Sequence, residues 1–407
     1  MKVLAINCGS STLKFTFVEA REGNNPASSW TRIAEGKIDK IGLKSNLAFN
    51  SVNQVGLEKE IGISDHGEAI KTVIHWLKSE DLLANNEPSA VGHRVVHGGN
   101  KFQKPILINE KVIEEIAQIS QLAPLHNEPS LMAIRVSREL IGSRIPMVAV
   151  FDTAFHSNMP IQSSIYAIPH ELSERHAIRR YGFHGLAHQY MCERYAAITS
   201  TPIEQAKLIT LQLGNGCSAA AVKDGYSLDT SMGFTPLEGL MMGTRCGDLD
   251  PSLPGFIAAS EGIDITEVEI ILNTRSGLLG VSGYSQDVRD LVTEVEQKDT
   301  RAILSLDMFC YRIKKYIGAY LAVLGGADAL IFGGGIGENV PLIRQRSCEG
   351  MQWCGLSIDN KRNTSAIQHE EQISANDSRV AIYVIPVDES SIIVRDTINC
   401  LRSTLHA

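Results

Sequence analysis

Apolar and polar positions alternate in short blocks at the start of the chain. Residues 3–6 are apolar, the polar segment 7–11 follows, and apolar and polar residues then alternate over 13–17. A period of two is typical of a half-buried strand. The pattern predicts a strand, a tight turn and a second strand, with the polar residues 19–32 as a loop.

A second block of the chain has the same layout. Residues 208–211 are apolar, a turn with glycine and asparagine follows at 214–216, and 217–222 is again mostly apolar. Asp224-Gly225 then marks a hairpin turn. Because strand, Asn-and-Gly turn with a serine, and strand recur in this order, the pattern indicates an internal duplication.

The remaining elements follow from the same two periods. Apolar residues at helical spacing predict helices, and short apolar runs predict buried strands. The predicted helices cover 66–80, 112–119, 300–324 and 389–404. The predicted strands cover 147–151, 329–332 and 380–385, with 357–379 as an excursion loop or hairpin. Strands that alternate with helices, with glycine turns at strand ends, predict an α/β fold.

Composition and charge narrow the class of protein. The 407 residues include 38 Lys and Arg against 46 Asp and Glu, and a net charge of −8 predicts no basic surface for nucleic acid. No apolar run reaches the ~18–20 residues of a membrane-spanning helix, and the N-terminus does not read as a secretory signal. The eight cysteines are scattered along the chain, and their spacing does not match that of a zinc site. This distribution is typical of buried thiols in a protein of a reducing compartment. We expect a cytoplasmic protein.

Three glycine-bearing turns are candidates for anion binding. They follow apolar strands at 7–11, 214–218 and 333–339, and Lys14 adds a cation near the first. Glycine lets backbone N–H groups approach an anion closely, although a single turn of this kind more often has a purely structural role. None matches GxxxxGK[ST], and Glu338 breaks GxGxxG in the third. Three turns together favour a nucleotide whose phosphates lie between two lobes.

Two arginines stand apart from other charges. Arg94 and Arg245 each lie in a glycine-rich segment that is otherwise nearly uncharged. A guanidinium held in a tight turn recognises a carboxylate or phosphate with two hydrogen bonds. The alternative for either residue is a structural role in which it binds loop carbonyl groups.

A histidine and two carboxylates complete the candidate chemistry. His184 and His188 have i,i+4 spacing, but without HExxH or nearby cysteines a zinc site is disfavoured. His184 is better interpreted as a hydrogen-bond donor to a transferring group. Asp152 and Glu389 each follow a buried strand, where carboxylates of α/β sheets face the active cleft and hold Mg²⁺ with substrate phosphate. Solvated loop acids are the alternative.

Ordered sequence blocks extend across nearly the whole chain, namely LAINCGSSTLKF, HRVVHGG, APLHNEPS, FDTAFH, RRYGFHG, LGNGCS, MGTRCGDLDP, GGGIGEN and VIPVDES. Together they resemble the acetate kinase family of the sugar kinase, Hsp70 and actin superfamily. The chain departs from the family pattern at Gln212, where a histidine is usual, and at Gly333-Gly334, where a Thr-Ala pair is usual.

The resemblance implies a duplicated ribonuclease-H-like, actin-like ATPase fold with two lobes and an active-site cleft between them. The N-terminal lobe would comprise residues 1–152 and 388–407, on the acyl and phosphate side and closed by the C-terminal helix. Residues 153–387 would form the nucleotide-binding lobe and carry the interface of a homodimer.

The resemblance also implies individual roles. The catalytic residues would be Asp152, Arg94, His184 and Arg245. The ligands of Mg²⁺, or of Mn²⁺ in its place, would be Asn7 and Glu389. The small acyl pocket would comprise Arg94, Val96, Leu125, Phe183 and Pro236. The ATP or ADP site would comprise Lys14, Gln212, Leu213, Gly214, Asn215, Gly216, Asp287, Val288, Arg289, Gly335, Ile336, Gly337, Glu338 and Asn339.

The reaction implied by the resemblance is reversible, Mg²⁺-dependent transfer of the γ-phosphate of ATP to acetate, giving acetyl phosphate and ADP. A carboxylate is already ionised at pH 7, so in-line displacement needs no general base. Val96 favours a short acyl chain. The alternatives are a propionate or butyrate kinase, a pyrophosphate-dependent acetate kinase and, in another class, a non-catalytic nucleotide-dependent switch protein.

Overall fold

The computed structural model describes residues 1–9, 11–20, 30–52, 56–83, 88–120 and 124–405, without the side chains of 124–126 and 405. The strands are β1 Lys2–Cys8, β2 Thr12–Ala20, β3 Trp30–Asp39, β4 Lys44–Ser51, β5 Leu57–Gly62, β6 Ala90–Val95, β7 Ile106–Leu107, β8 Met147–Phe151, β9 Lys207–Leu213, β10 Cys217–Lys223, β11 Tyr226–Thr230, β12 Ala329–Gly333, β13 Glu371–Gln372 and β14 Ala381–Val384. The helices are α1 His66–Ser79, α2 Glu110–Ile119, α3 Pro124–Ile141, α4 Ile161–Ser164, α5 His170–His176, α6 Gly185–Thr199, α7 Leu253–Glu261, α8 Ile265–Thr274, α9 Gly277–Ser282, α10 Val288–Glu296, α11 Thr300–Leu324, α12 Gly334–Asn339, α13 Pro341–Cys348, α14 Asn360–Ser365 and α15 Glu389–Leu405.

The chain divides into two compact units. Unit 1 comprises Met1–Ala154 and Asp388–Ala407, and unit 2 comprises Phe155–Val387. The sequence-based boundaries are 152/153 and 387/388, and the structural division falls at 154/155 and 387/388. Unit 1 is therefore built from two separate stretches of chain.

Each unit contains a mixed β-sheet, and the two sheets share a topology. The strand order is β5-β4-β3-β2-β1-β6-β8-β7 in unit 1 and β11-β10-β9-β12-β14-β13 in unit 2. In both, three antiparallel strands precede two parallel ones, as β3-β2-β1-β6-β8 and β11-β10-β9-β12-β14. This repeat confirms the predicted duplication and the α/β fold class.

Helices cover the sheet of unit 1. The side chain of Asp65 caps α1 by accepting a hydrogen bond from the N–H of Glu68, and Ile70 and Val73 lie on its buried face. Helix α15 contacts β1, β6 and β8. A Cβ on Gly92 of β6 would lie 2.2 Å from Thr397 Oγ1, so glycine lets α15 approach the sheet closely. The predicted helices 66–80 and 389–404 are confirmed.

The central helix of unit 2 is α11, which matches the predicted helix 300–324. The Asp299 side chain accepts a hydrogen bond from the N–H of Ala302, and Gly325 ends the helix at φ 64°. Its apolar stripe, which packs on the sheet, includes Leu306, Phe309, Ile313 and Ile317. No helix in the described part of the chain is long and apolar enough to cross a membrane.

The structure corrects the sequence-based elements at three places. Strand β2 extends to Ala20 and β3 begins at Trp30, so only 21–29 of the predicted loop, which lie outside the described residues, remain. Half-exposed strands carry polar residues on the solvent side, which a periodicity argument interprets as loop. The turn predicted at 333–339 is mostly the helix α12. Segment 357–379 contains the hairpin strand β13, as one of the two predicted alternatives has it, but also the helix α14, which was not predicted.

Candidate active site

Four polar residues meet at the carboxyl ends of parallel strands in unit 1. Asn7 of β1 lies opposite Arg94 of β6 in the strand register. Asp152 directly follows β8, the neighbour of β6, and Glu389 is the first residue of α15. The carboxyl ends of strands in open α/β sheets are where ligands bind. The structure therefore brings together four of the predicted site residues.

Arg94 is the centre of this cluster. Its Nε donates to Asp152 Oδ1 at 3.1 Å and its Nη2 to Oδ2 at 2.5 Å, a two-pronged ion pair. Its Nη1 donates to Asn7 Oδ1 at 2.8 Å, and Asn7 Nδ2 donates to Glu389 Oε2 at 2.6 Å. One hydrogen-bonded chain thus fixes all four side chains.

Charge and burial oppose each other at Arg94. Burial lowers the pKa of the Arg94 guanidinium, but the carboxylates of Asp152 and Glu389 outweigh burial and raise the pKa above its ordinary value. Arg94 is therefore charged at any working pH. Asp152 is fully buried and binds Arg94 with both oxygens, which holds the guanidinium in place.

Glu389 and Asn7 present the oxygen donors that Mg²⁺ prefers. No group of three or more His, Cys, Asp or Glu side chains with metal-binding geometry occurs among the described residues. A cation held here would take few protein ligands and complete its shell with phosphate and water oxygens, as Mg²⁺ does. Since Asn7 Oδ1 accepts from Arg94 and Asn7 Nδ2 binds Glu389, Asn7 also orients the carboxylate.

Three further predicted residues belong to unit 1. Lys14 of β2 lies directly across from Asn7 and its side chain is exposed. Val96 follows β6 and is buried. Leu125 lies in α3, and its side chain is outside the described part of the structure.

In unit 2 a glycine turn joins β9 to β10. The Gly214 N–H donates to the Gly216 carbonyl at 3.0 Å. A Cβ on Gly216 would lie 2.9 Å from Arg245 Nη2 and 3.4 Å from His184 Nε2. Glycine at this position leaves room for both side chains, so the predicted donors His184 and Arg245 face the same point of the turn.

Arg245 differs from Arg94 in its partners. Its Nη1 donates to the Pro236 carbonyl at 2.6 Å, and no ion pair with a carboxylate is found for it in the described part of the chain. Burial lowers the pKa of the Arg245 guanidinium below its ordinary value, although it stays charged at pH 7. A buried cation without an anionic partner is a site prepared for an anionic ligand.

The loop that carries Arg245 is held by a network that the sequence analysis missed. Arg180 Nη2 donates to Glu238 Oε1 at 2.5 Å, and the Tyr166 hydroxyl donates to Glu238 Oε2. The Arg180 Nη1 atom donates to three carbonyls, those of Thr230, Ser231 and Met232. Because these residues are far apart in sequence, no local pattern could have paired them.

The other predicted site residues of unit 2 differ in their burial and in their hydrogen-bond partners. Phe183 is buried, and its carbonyl binds His156 Nε2 at 3.1 Å. Gln212 lies on β9, and its buried Oε1 has no hydrogen-bond partner among the described residues. Leu213 is the last residue of β9. The Glu338 side chain accepts a hydrogen bond from the N–H of Val387 and does not line the cavity of unit 2, which is described in the next paragraph.

A cavity of 610 Å³ in unit 2 brings three predicted nucleotide segments together. Its lining includes Gly214 and Asn215, all of 287–289, and Gly335, Ile336 and Asn339. Gln286, Val340 and Gln368 also line it and were not predicted. Gln368 comes from the excursion 357–379, so only the folded chain reveals it.

A buried arginine binds the helix α12, which contributes residues to the lining of this cavity. The fully buried Arg344 of α13 donates to the carbonyls of Gly337 and Glu338 at 2.7 and 3.1 Å, at the end of α12. It also binds the carbonyls of Asn363 and Ala366. A cation at the carboxyl end of a helix is favourable for the helix dipole. Arg344 thereby fixes the Gly335–Asn339 segment, a role that the sequence analysis did not predict.

Two cysteines lie beside these groups without a chemical role. Burial raises the pKa of Cys8, next to Asn7, to about 12. Burial likewise raises the pKa of Cys217, next to Gly216, to about 12. Both are thiols at pH 7, so neither supplies a nucleophile for a covalent intermediate.

Comparison with known proteins agrees with this geometry. A duplicated α/β fold with a cavity next to the turn that faces Arg245, whose guanidinium has no carboxylate partner among the described residues, fits a nucleotide-dependent phosphotransferase. The sequence model of the Acetokinase family matches residues 2–395, and the chain belongs to that family. It is therefore a kinase with a carboxylate acceptor.

Individual relatives match over almost their whole length. The chain is 47% identical to an acetate kinase of Halothermothrix orenii over 99% of this chain and 100% of that protein. It is 45% identical to an acetate kinase of Chloroherpeton thalassium, with 98% and 99% covered. The structure of Porphyromonas gingivalis acetate kinase matches with TM-score 0.88 at 39% identity, covering 98% and 99%. That of a Francisella tularensis propionate kinase matches with TM-score 0.89 at 37% identity, with the same coverage.

Proposed function

We propose that this protein catalyses the reversible, Mg²⁺-dependent transfer of the γ-phosphate of ATP to acetate, giving acetyl phosphate and ADP. One observation carries the proposal. The turn 214–216 borders the nucleotide cavity through Gly214 and Asn215, while Gly216 faces Arg245 and His184. The terminal phosphate of a nucleotide in the cavity would therefore meet an imidazole and a guanidinium that has no carboxylate partner among the described residues.

The chain's own residues supply the electrostatics of the transfer. Arg245 and His184 donate hydrogen bonds to the oxygens of the transferring group, where negative charge is spread in the transition state. Acetate is already ionised at pH 7, so no residue has to remove a proton from it. Asp152 is committed to Arg94 and acts as its positioning group. Phosphorus then passes directly between two oxygens, in line, without a covalent enzyme intermediate.

Arg94 and Glu389 have the complementary tasks in unit 1. Arg94 would bind the carboxylate of the acceptor or an oxygen of the transferring phosphoryl group, since its Nη atoms can donate further hydrogen bonds. Glu389 and Asn7 would hold Mg²⁺, which when bound neutralises phosphate charge. Lys14 adds a cation on the adjacent strand, across from Asn7.

A second candidate acceptor is propionate, because one well-matched structure is that of a propionate kinase. Val96, which follows β6 and is buried, is the residue proposed to limit the length of the acyl chain. One methylene group changes the free energy of discrimination by only ~1–3 kcal/mol in an apolar pocket. We therefore expect acetate as the best substrate and propionate as a slower one.

The direct test is trapping of acyl phosphate as the hydroxamate, with the C1 to C4 acids as acceptors and ATP, GTP or pyrophosphate as donors. We expect product from acetate with ATP and Mg²⁺, and about ten- to a hundredfold lower kcat/KM with propionate. A reaction without acid measures ATP hydrolysis as the control. Absence of product with every acid would contradict the kinase proposal and favour a nucleotide-dependent switch protein.

We also infer that the protein is a homodimer with its interface on unit 2. Helix α7 is largely apolar, yet none of its residues is buried, and Leu253 and Phe256 are 41% and 68% exposed. In the adjacent helix α8, Ile265 and Ile270 are 54% and 50% exposed. Large exposed apolar side chains on two helices that pack against each other are typical of a protein interface.

Replacing Phe256 with glutamate should convert the dimer into a monomer, because the interface would have to bury an unpaired charge. Sedimentation velocity measures the change in mass. Leu43→Glu on unit 1, where Leu43 is 72% exposed, is the matched control and should remain dimeric. A Phe256→Glu variant that stays dimeric would contradict this placement of the interface.

We propose a cytoplasmic location, which the chemistry of the cysteines supports. All eight cysteines are free thiols, as is usual in a reducing compartment.

A further inference from the structure

Behind His184 lies a chain of buried hydroxyl and imidazole groups. The Ser218 hydroxyl lies 2.9 Å from His184 Nδ1 and 2.8 Å from His188 Nε2. The other ring nitrogen of His188, Nδ1, lies 2.7 Å from Thr210 Oγ1. Thr210, His188 and Ser218 are all fully buried. Two hydroxyl groups and one imidazole thus connect the interior of unit 2 with the ring of His184.

His188 in this chain is neutral. Burial lowers the pKa of His188 well below its ordinary value. A neutral imidazole has one N–H donor and one lone pair. His188 therefore donates to one hydroxyl group and accepts from the other, so the whole chain must point in one of two directions.

In the first direction Thr210 donates to His188 Nδ1, His188 Nε2 donates to Ser218, and Ser218 donates to His184 Nδ1. In the second direction every bond is reversed, and the Thr210 oxygen accepts. Within the described ranges, His188 is the sole hydrogen-bond partner of the Thr210 hydroxyl. The second direction would leave that buried O–H without an acceptor, which is costly, so the first direction is favoured.

We propose that Thr210, His188 and Ser218 are positioning residues that hold His184 as the neutral tautomer with its proton on Nε2. The proposal rests on the proposed phosphotransfer, in which His184 donates a hydrogen bond. Because Ser218 donates to Nδ1, the remaining proton of the ring lies on Nε2, the atom that faces the Gly216 turn beside Arg245. The bond made by one ring nitrogen sets the protonation of the other.

This arrangement gives the site a donor without a second buried cation. His184 Nε2 and Arg245 Nη2 approach the same point, at 3.4 and 2.9 Å from a Cβ built on Gly216. Two positive charges this close would repel each other strongly before an anion binds. Protonation of Nδ1 would in addition require all bonds of the chain to reverse. His184 therefore offers a fixed, uncharged N–H to the phosphoryl oxygens.

The neighbouring His156, whose ring packs edge-on against that of His188, shows the same principle. His156 Nε2 lies 3.1 Å from the Phe183 carbonyl, which can only accept, and its Nδ1 lies 2.8 Å from the Ser227 hydroxyl. Burial lowers the pKa of His156 to about 4, so it is neutral at pH 7 with its proton on Nε2. Among the described residues, the Ser227 hydroxyl binds His156 and the Asp229 carbonyl but none of Thr210, His188 and Ser218, so Ser227 provides a matched control.

The test is long-range ¹H–¹⁵N NMR of the full-length protein labelled with ¹⁵N-histidine, which reports the protonated nitrogen of each ring. The His184 signals are assigned by their loss in His184→Gln. At pH 7 we expect His184 with Nε2 protonated and Nδ1 bare. Valine has no hydroxyl group, so in Thr210→Val neither direction of the hydrogen-bond chain leaves a buried O–H without an acceptor. We therefore expect both tautomers of His184 in this variant. Thr210→Ser should restore the single tautomer, and Ser227→Ala should leave it unchanged.

Turnover supplies a second readout. Thr210→Val and Ser218→Ala should each lower kcat about tenfold with unchanged KM for ATP and the acid, since the lost hydrogen bond acts in the transition state. Thr210→Ser should recover kcat. A His184 that carries its proton on Nδ1 or is cationic at pH 7 overturns the proposal, and so does a single Nε2–H tautomer in both Thr210→Val and Ser218→Ala.

The two proposals fail in different ways. If the His184 tautomer responds to Thr210 and Ser218 as expected but no acid yields an acyl phosphate, the proposed function is wrong and the hydrogen-bond chain stands. If acyl phosphate forms but the NMR spectra show either overturning result, the function stands and the chain has no role in setting the tautomer.

Discussion

Arg245→Ala is expected to lower kcat about 10³-fold or more and to leave the fold intact. The Arg245 guanidinium has no carboxylate partner in the described part of the chain, and burial lowers its pKa. Its removal therefore leaves no buried acid unpaired. In the proposed reaction, the variant would lose the cation at the point where negative charge spreads over the transferring phosphoryl group.

Steady-state kinetics together with thermal unfolding checks this prediction. Arg245→Lys is the matched control, because it keeps the charge but loses the planar fork that reaches both Pro236 and the Gly216 turn. We expect Arg245→Lys to recover part of kcat and both variants to unfold close to the temperature of the parent protein. Full activity in Arg245→Ala would contradict the assignment of Arg245 to the transferring group.

Arg94→Ala is expected to abolish activity and also to destabilise the protein, in contrast to Arg245→Ala. Asp152 is fully buried, and both of its oxygens bind Arg94. Removing one partner of a buried ion pair leaves an uncompensated charge and typically lowers the free energy of unfolding by about 3–5 kcal/mol. Urea denaturation measures that loss, and acyl phosphate trapping measures the activity.

The double variant Arg94→Leu with Asp152→Asn separates the two effects. Removing both charges should restore most of the free energy of unfolding, because no unpaired charge remains buried. Activity should stay abolished, since the acceptor then meets no guanidinium in unit 1. A double variant that regains activity would contradict the catalytic role of Arg94, and a stable Arg94→Ala would contradict the structural account of Asp152.

The sequence predicted those parts of the fold that depend on local periodicity. Helix α11 and strand β8 were predicted with their observed bounds, because an apolar stripe and a fully buried run each have an unambiguous period. The hairpin β4-β5 was missed, since its strands are half exposed and mix polar with apolar residues. The shared topology of the two sheets could be inferred only from the repeated strand and turn.

The site was predicted as far as its residues stand out in the sequence. Arg94 and Arg245 are isolated cations in glycine-rich segments, so composition alone singles them out. Their different partners could not be foreseen, because Asp152 is 58 positions from Arg94 and only the sheet brings the two together. Arg344 lies in a segment that includes Arg346 and resembles an ordinary surface helix, so its burial behind the cavity became visible only in three dimensions.

The two-part construction of unit 1 has a consequence for the order of folding. Helix α15 packs on the sheet formed by the first part of the chain and buries Ile392, Ile393 and Ile398 there. Glu389, at its first turn, binds Asn7, which is 382 positions earlier. Contacts between residues this far apart in sequence carry a large entropic cost of loop closure. We therefore expect α15 to dock late in folding, so that Glu389 reaches Asn7 only after the sheet has formed.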